Sequence, residues 1–292
     1  MLLFSALVGG SFSLGVLVAN DIAPAALNAA RFLIAAGLLG AVVLATKGPP
    51  RRIPPGLWRY GVLGAVFALY FVLMFEGLKT ATPVSASAVF TLTPILSAGF
   101  GYLLMRQILT PRMALALAIG AGGALWVIFR GDPAALLQFQ IGRGEAIYFL
   151  GCVSHALYTP LVRKLNRGEP PLVFTFGMLV AGFVVLTTWG WSDILATDWF
   201  GLGWLIWGTL LYLAVFTSAV TFVLLQYATM RLPSSKVMAY TYLAPSWVIG
   251  WEVALGHAPP PPLVLAGVVF TAIALMLLLK DGNAGTTPGQ AG

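Results

Sequence analysis

The stretch PVSASAVFTLTPILSAGFGYLLMRQILTPR, Pro83–Arg112, has a counterpart near the other end of the chain, SSKVMAYTYLAPSWVIGWEVALGHAPPPP, Ser234–Pro262. Each stretch contains an apolar run of about 20 residues, which is the length that a helix needs to cross the hydrocarbon core of a bilayer. Each run carries one proline near its middle, Pro94 and Pro245, and each follows a short turn with a basic residue. The pattern predicts two copies of one membrane unit.

The composition excludes a soluble globular domain. Hydrophobic residues make up 59% of the chain and charged residues only 9%, whereas a soluble domain has about a quarter charged residues. The formal charge is +7, but the basic residues are scattered between apolar runs, which indicates membrane orientation rather than nucleic-acid binding. A single cysteine, Cys152, excludes an intramolecular disulfide and a cysteine cluster for a metal. We expect no metal and no cofactor.

Ten apolar spans predict an all-α integral membrane protein with ten transmembrane helices. The spans are Leu2–Ala19, Pro24–Thr46, Trp58–Leu78, Pro83–Met105, Arg112–Phe129, Gly144–Leu165, Pro171–Gly190, Leu202–Tyr227, Pro233–Leu255 and Leu263–Lys280. We therefore expect one five-helix repeat over residues 1–132 and a second over residues 143–280. The small, polar segment 281–292 predicts a disordered cytoplasmic tail.

The distribution of lysine and arginine predicts the orientation. With the N-terminus in the cytoplasm, twelve of these residues lie on the inner side: Lys47, Arg51, Arg52, Arg59, Arg106, Arg112, Arg163, Lys164, Arg167, Arg231, Lys236 and Lys280. Three lie at the outer ends: Lys79, Arg130 and Arg143. Both termini are therefore expected in the cytoplasm.

Five is an odd number of crossings, so the second copy must enter the membrane from the opposite side. Inverted repeats of this kind recur in transporters, in which a central cavity near the midplane lies between halves that expose it alternately. The alternative is a duplication that was retained only for packing.

The chain resembles the ten-helix drug/metabolite transporter superfamily, EamA type, over about residues 3–279. The order and spacing of several short motifs carry the resemblance: Gly10-Ser11, Pro24, Ala30-Arg31-Phe32, Gly77-Leu78-Lys79, Leu92-Thr93-Pro94, Leu109-Thr110, Ala156-Leu157-Tyr158, Arg163-Lys164-Leu165, Ala228 to Ser234 and Leu243-Ala244-Pro245. Within the superfamily the chain is most similar to exporters of aromatic amino acids, which implies export of such metabolites. It departs from the family at Gly9, where a tryptophan is usual, and at Arg106-Gln107 and Gly256-His257, where Gly-Glu is frequent.

His155 is the main candidate for a substrate-cavity residue. It lies about eleven residues into its span, roughly 16 Å from the outer end and close to the midplane, where an ionisable residue is a functional candidate. Tyr158 shares its helix face. The alternative for His155 is a neutral imidazole that donates to a carbonyl. The remaining candidates for the cavity are Ser85, Ser87, Thr91, Thr93, Tyr242 and Glu252.

Two further sets are predicted to govern movement. Arg31 is expected about 10 Å below the outer surface, at the same membrane depth as Glu76, Lys79 and Glu252. Pairing among these four side chains would make an outer gate. The alternative is that the side chains snorkel to the lipid headgroups. Pro94 and Pro245 would kink their helices and act as hinges, or would merely set curvature.

The sequence therefore predicts a secondary transporter of the inner membrane that exports small amphipathic metabolites, above all aromatic or other neutral amino acids. No Walker A sequence is present for ATP, and no buried arginine or lysine cluster is present for sugar phosphates. The expected partners are a small-molecule substrate and the lipid bilayer, with no nucleic acid and with a monomer as the working expectation. An intramembrane enzyme and a passive channel are the alternatives. For the enzyme, Ser154 and His155 would be the candidate nucleophile and base. Adjacent residues on a helix point about 100° apart, however, so these two cannot form a nucleophile–base pair with each other.

Overall fold

The computed structural model describes residues 1–48, 56–137 and 141–280, and within these ranges the chain is helical and contains no strand. The α-helices are α1 Leu2–Val18, α2 Pro24–Lys47, α3 Trp58–Leu78, α4 Pro83–Phe90, α5 Thr93–Met105, α6 Pro111–Ile128, α7 Pro133–Leu137, α8 Arg143–Leu165, α9 Pro171–Trp189, α10 Trp191–Ala196, α11 Trp204–Ala214, α12 Thr221–Thr229, α13 Ser234–Ala239, α14 Ala244–Ala254 and α15 Pro262–Lys280. A π-helix, Val215–Val220, joins α11 to α12, and a 3₁₀-helix, Tyr240–Leu243, joins α13 to α14. Arg51, Arg52 and the predicted tail lie outside the described residues.

Every predicted span coincides with helix to within a few residues. Among the described residues, seven helical stretches are long and apolar enough to cross a membrane: Pro24–Lys47, Trp58–Leu78, Pro83–Met105, Pro111–Ile128, Pro171–Trp189, Trp204–Thr229 and Pro262–Leu279. The stretches that correspond to the first, sixth and ninth predicted spans are helical but are not among these seven. The first of them, Leu2–Val18, is apolar but only 17 residues long.

The helices begin where the local sequence favours a start. Thr82 precedes Pro83, and its side-chain oxygen accepts a hydrogen bond from the Ser85 backbone N–H at 3.3 Å. Thr110 precedes Pro111 in the same way, and its oxygen accepts from the Met113 N–H at 3.2 Å. A threonine cap satisfies a free donor of the first turn, and a proline at the first helical position has no N–H to satisfy.

The stretches Pro83–Arg112 and Ser234–Pro262 both contain an interrupted helix. The first breaks between α4 and α5, and Pro94 lies in the first turn of α5. The second passes through the 3₁₀-helix, and Pro245 lies in the first turn of α14. The two interruptions meet in the interior, where the hydroxyls of Thr93 and Thr241 lie 3.2 Å apart.

The distribution of polarity is that of a protein surrounded by lipid. Large apolar side chains such as Leu103, Leu115 and Phe270 are exposed along the helices, whereas Arg31, Asn28 and many hydroxyl groups are buried. Exposed tryptophans, including Trp189 and Trp204, lie at helix ends, as is common at the membrane–water interface. The helices pack chiefly as α3 with α8 and α9, α6 with α15, α2 with α9, α5 with α8, and α1 with α14.

Candidate functional site

A small cavity lies in the centre of the bundle, between α1, α2, α3, the end of α4, α8, the π-helix and α12. Its lining consists of Phe4, Val8, Ser11, Arg31, Phe67, Tyr70, Phe71, Phe90, His155, Thr217, Thr221, Phe222 and Leu225. The cavity volume is about 20 Å³, which is room for about one water molecule. The cavity in this conformation is too small for a metabolite, which would fit only after the helices move apart.

Arg31 supplies the positive charge of the cavity, and its side chain is fully buried. Its Nε donates to the Ser218 hydroxyl at 2.6 Å, and its Nη2 donates to the Thr217 carbonyl at 2.9 Å and to the Thr217 hydroxyl at 3.0 Å. Its Nη1 has a longer bond, 3.5 Å, to the Asn28 side-chain oxygen. The guanidinium carbon lies 3.8 Å from the centre of the Phe71 ring, within the range of a cation–π interaction.

The local fold of the second half brings these acceptors to the arginine. Thr217 and Ser218 lie in the π-helix, whose wider turn alters the direction of the backbone groups relative to an α-helix. A carbonyl and two hydroxyls from adjacent residues thereby converge on one guanidinium group. Short π-helical turns are frequent at functional sites.

His155 lines the same cavity and lies in a sandwich of rings. The centre of its ring is 4.4 Å from that of Tyr70 and 5.3 Å from that of Phe90, and both pairs are stacked. The side chain is 2% exposed, and its Nδ1 has no hydrogen-bond partner. A buried polar atom without a partner is rare in proteins, which marks His155 as a group that is able to bind a ligand.

Tyr158 lies one layer behind the cavity rather than in its wall. Its ring stacks on Phe67 with centres 4.2 Å apart, and its hydroxyl accepts a hydrogen bond from the Gln226 side-chain nitrogen at 2.9 Å. Phe67 in turn faces the cavity. Tyr158 therefore supports the position of a lining ring.

The hydroxyls predicted to line the cavity lie elsewhere in this conformation. Ser87 and Thr91 donate to carbonyl oxygens three residues back in their own helix, at 2.7 and 2.6 Å. Thr93 donates to the Phe90 carbonyl at 2.7 Å and meets Thr241 at the helix interruptions. None of the three belongs to the cavity lining, and their contact with substrate stays a prediction.

Tyr242 and Glu252 also lie apart from the cavity. Tyr242 is fully buried against α6, where its ring occupies the space beside Gly120. Glu252 lies in a separate pocket near the end of α14 together with His257, and Glu252 Oε2 is 2.8 Å from His257 Nδ1.

Of the four residues predicted to form an outer gate, the structure pairs two. Lys79 Nζ lies 2.7 Å from Glu76 Oε2, whereas Glu252 pairs with His257 instead. Arg31 contacts none of the three, because its side chain turns toward the π-helix. A gate function for this set stays a prediction, and for Arg31 the structure offers different partners.

Sequence reasoning missed an ion pair at the other end of the bundle. Arg59, at the start of α3, donates from Nη2 to Glu169 Oε1 at 2.7 Å and from Nη1 to the Leu165 carbonyl at 2.6 Å. Partial burial alone would raise the pKa of Glu169, but hydrogen bonds from Arg59 and from the Arg167 backbone N–H outweigh it and lower the pKa below its ordinary value. Nothing in the local pattern links two residues 110 positions apart, so only the fold reveals this pair.

The described residues hold no group of three or more His, Cys, Asp or Glu side chains that would bind a metal. What they do hold is a bundle with an apolar outer surface and a central cavity that combines aromatic walls with one cation. A fold and a site of this kind define the class of multi-pass membrane transporters.

Comparison with known proteins agrees with this class. The model of the EamA-like transporter family matches residues 1–129 and again residues 142–280. The chain therefore belongs to the EamA-like transporter family.

Individual relatives are distant and cover most of the chain. The Uncharacterized transporter YyaM of Bacillus subtilis is 26% identical over 276 residues, which is 91% of this chain and 90% of YyaM. The Uncharacterized transporter sll0355 of Synechocystis sp. is 25% identical over 264 residues, 84% of this chain and 78% of that protein. One protein of known crystal structure superposes over 98% of both chains with a TM-score of 0.73 and 18% identity, a likeness that concerns the fold alone. Family membership and these relatives point to a transporter rather than an enzyme.

Proposed function

We propose that this protein is a secondary transporter that exports small amphipathic metabolites across the inner membrane by alternating access, with aromatic and other neutral amino acids as the first candidates. The observation that carries the proposal is the central cavity. Its walls come from four helices of the first half of the chain and from α8, the π-helix and α12 of the second. A cavity between two halves is what alternating access requires.

Three observations support an architecture of ten helices in two inverted repeats. The same family model matches each half of the chain separately. Equivalent helices of the two halves pack against each other, α2 with α9 and α6 with α15. The interrupted helices, each with its proline in the first turn after the break, touch through Thr93 and Thr241. Contacts between equivalent elements are expected beside a pseudo-two-fold axis.

The lining favours an amphipathic substrate over a strongly polar one. Six of its side chains are phenylalanine or tyrosine: Phe4, Phe67, Tyr70, Phe71, Phe90 and Phe222. Such walls bind apolar and flat groups well, whereas a few polar groups fix orientation. A sugar phosphate would need several cations, and Arg31 is the one lysine or arginine in this lining.

A counterflow assay in proteoliposomes tests the proposal. Vesicles loaded with unlabelled phenylalanine, leucine or tyrosine should accumulate the labelled form transiently, and the initial rate should saturate with concentration. Vesicles loaded with uracil or glucose serve as controls. A rate that rises linearly to high concentration would indicate a passive channel instead, and the absence of exchange for all the amino acids would contradict the proposed substrate class.

A further inference from the structure

We propose that Arg31 is the subsite for a substrate carboxylate, and that the cavity selects monocarboxylates with an apolar, preferably aromatic, body without recognising an amino group by charge. This inference rests on the proposed transport function and specifies its substrate chemistry. Four features of the site support it: Arg31 has no acidic partner, the lining has no acidic residue, one corner of the guanidinium group is free for a ligand, and nearby polar atoms lack hydrogen-bond partners.

Every glutamate of the chain already has a partner other than Arg31. Glu76 pairs with Lys79, Glu169 with Arg59 and Glu252 with His257. The fourth, Glu145, accepts a hydrogen bond from the Ser85 hydroxyl at 2.7 Å. Within the described residues Arg31 is therefore a fully buried cation with no acid as its partner. Burial of a charge within a membrane protein is costly without an opposite charge, and a bound carboxylate would supply one.

The lining contains no aspartate and no glutamate. The described aspartates, Asp21, Asp132, Asp193 and Asp198, lie in the connections between the long helices. An ammonium group in this cavity would find aromatic faces and hydroxyls but no opposite charge. The electrostatics of the site therefore favour an anion over a zwitterion and disfavour an amine.

The guanidinium group is oriented but not saturated. Nε and Nη2 are fixed by Ser218 and Thr217, whereas Nη1 makes only the 3.5 Å contact with Asn28. A guanidinium group presents five N–H donors in a planar fork that matches a carboxylate. The hydroxyls of the π-helix thus hold the group in place while one corner stays available to a ligand.

Two further lining atoms lack partners, the Nδ1 of His155 and the hydroxyl of Thr221, and both side chains are at least 98% buried. Buried polar groups ordinarily have partners. The His155 nitrogen and the Thr221 hydroxyl could form hydrogen bonds with the second oxygen of a carboxylate or with a polar substituent next to it. The rings of Phe67, Phe90 and Phe222 would surround the apolar body.

The experiment compares four ligands that share one body and differ in charge: 3-phenylpropionate, phenylalanine, phenethylamine and 3-phenylpropionamide. Binding to the full-length protein in detergent is measured by thermal stabilisation, and competition is measured against labelled phenylalanine in proteoliposomes. We expect 3-phenylpropionate to bind at least as tightly as phenylalanine, and the amide and the amine to bind about 10- to 100-fold more weakly, the range of a charge-assisted hydrogen bond.

Variants separate recognition from a structural role of Arg31. Arg31→Gln should lose the preference of about 10- to 100-fold for 3-phenylpropionate over its amide while it still binds the amide. Ser218→Ala keeps the cation and should weaken the binding of 3-phenylpropionate more than the binding of its amide. Phe270→Leu, at a half-exposed position of α15 outside the cavity lining, serves as the control and should leave the ligand order unchanged.

The outcomes separate this inference from the proposed function. If phenylalanine or phenethylamine binds and 3-phenylpropionate does not, or if Arg31→Gln keeps the preference for the acid, the carboxylate subsite is wrong while transport of amphipathic metabolites stands. If Arg31→Gln fails to fold, the order of the affinities of the four ligands for the unmodified protein decides whether the carboxylate subsite stands. If none of the four binds, the substrate class is wrong and the subsite falls with it.

Discussion

At the scale of single residues, the centre of this protein is a place where polar groups are held by distant parts of the chain. Arg31 is bound by residues 186 and 187 positions further along, and His155 lies among rings from α3 and α4. These contacts give two isolated polar side chains a defined environment inside an apolar bundle.

His155→Ala should lower the initial rate of transport by about tenfold or more, since a loss of about 1.4 kcal/mol of substrate binding already corresponds to tenfold. The substitution removes the ring that stacks on Tyr70 at 4.4 Å and the unpartnered Nδ1. The measurement is proteoliposome counterflow from pH 5.5 to 8, with expression and monodispersity checked in parallel.

The neighbouring Ser154→Ala provides the control for His155, because the Ser154 hydroxyl donates to the Val66 carbonyl at 2.7 Å and is not part of the cavity lining. It should transport within about twofold of the unmodified protein. A His155→Ala protein with an unchanged rate across this pH range would remove His155 from the site.

The sequence alone led to His155 because a histidine near the midplane of an apolar span is unusual whatever surrounds it. Tyr242 was also predicted to line the cavity; in this conformation its ring fills the space beside Gly120, and its contact with substrate stays a prediction. For Arg31 the sequence predicted pairing with charged side chains at the same membrane depth, whereas the structure places Thr217 and Ser218 at its guanidinium group. Helical periodicity contains no information about contacts of this kind. Long-range pairing of helices decides such positions.

At the scale of helices, boundaries were predictable, whereas interruptions were predictable only where a proline marks them. The span Trp58–Leu78 is reproduced to the residue by α3, because its ends are marked by polar and glycine-rich turns. The span Pro83–Met105 was predicted as one helix and is two. A proline signals a kink, but the π-helix of Val215–Val220 has no proline and no comparable signal.

Close helix contacts depend on glycine in α6 and α15, and this gives a second prediction. A Cβ atom at Gly123 would lie 2.7 Å from the Gly267 carbonyl oxygen and 2.9 Å from Phe270 Cβ. A backbone oxygen cannot yield without displacement of the whole helix. Gly123→Ala should therefore destabilise the protein by about 1–3 kcal/mol, measured as a lower thermal midpoint in detergent.

Gly122, the adjacent residue, is the matched control because a Cβ atom there would meet nothing within 4 Å. Gly122→Ala should leave the midpoint unchanged or raise it slightly, since alanine is the better helix former. Equal midpoints for the two variants would show that α6 and α15 do not meet at this glycine.

The ion pair between Arg59 and Glu169 joins the start of α3 to the connection between α8 and α9, and its stability should depend on pH. The pKa of Glu169 is lowered in the folded protein, so its contribution is fully present above the ordinary carboxyl pKa of about 4.3. That contribution is lost as the pH falls through the lower, folded pKa. Glu169→Gln should cost about 1–3 kcal/mol at pH 7.

The test is the difference in thermal midpoint between the unmodified protein and Glu169→Gln at pH 7 and at pH 3. We expect several degrees at pH 7 and a clearly smaller difference at pH 3. Since other carboxyl groups titrate in both proteins alike, the difference isolates this residue. A difference that is the same at both pH values would argue against the ion pair.

At the scale of the whole molecule, the proposal depends on an odd number of crossings in each half. The chain offers a direct test because its one cysteine, Cys152, is buried. In a Cys152→Ser background, Asp193→Cys should react with a membrane-impermeant maleimide in intact cells. Arg52→Cys should react only after the membrane is permeabilised. Labelling of both positions from one side would refute the inverted arrangement.

Under the proposed alternating access, the contact between Thr93 and Thr241 would link the movements of the two halves. Straightening of either broken helix would break this hydrogen bond, at a cost of about 1 kcal/mol, so movement of both halves together would be favoured over movement of one. Two halves that each bend independently would give four combinations, whereas a carrier whose halves move together has only two end conformations. The conformations that it forgoes include the one with both mouths open, through which the ion gradients of the cell would drain.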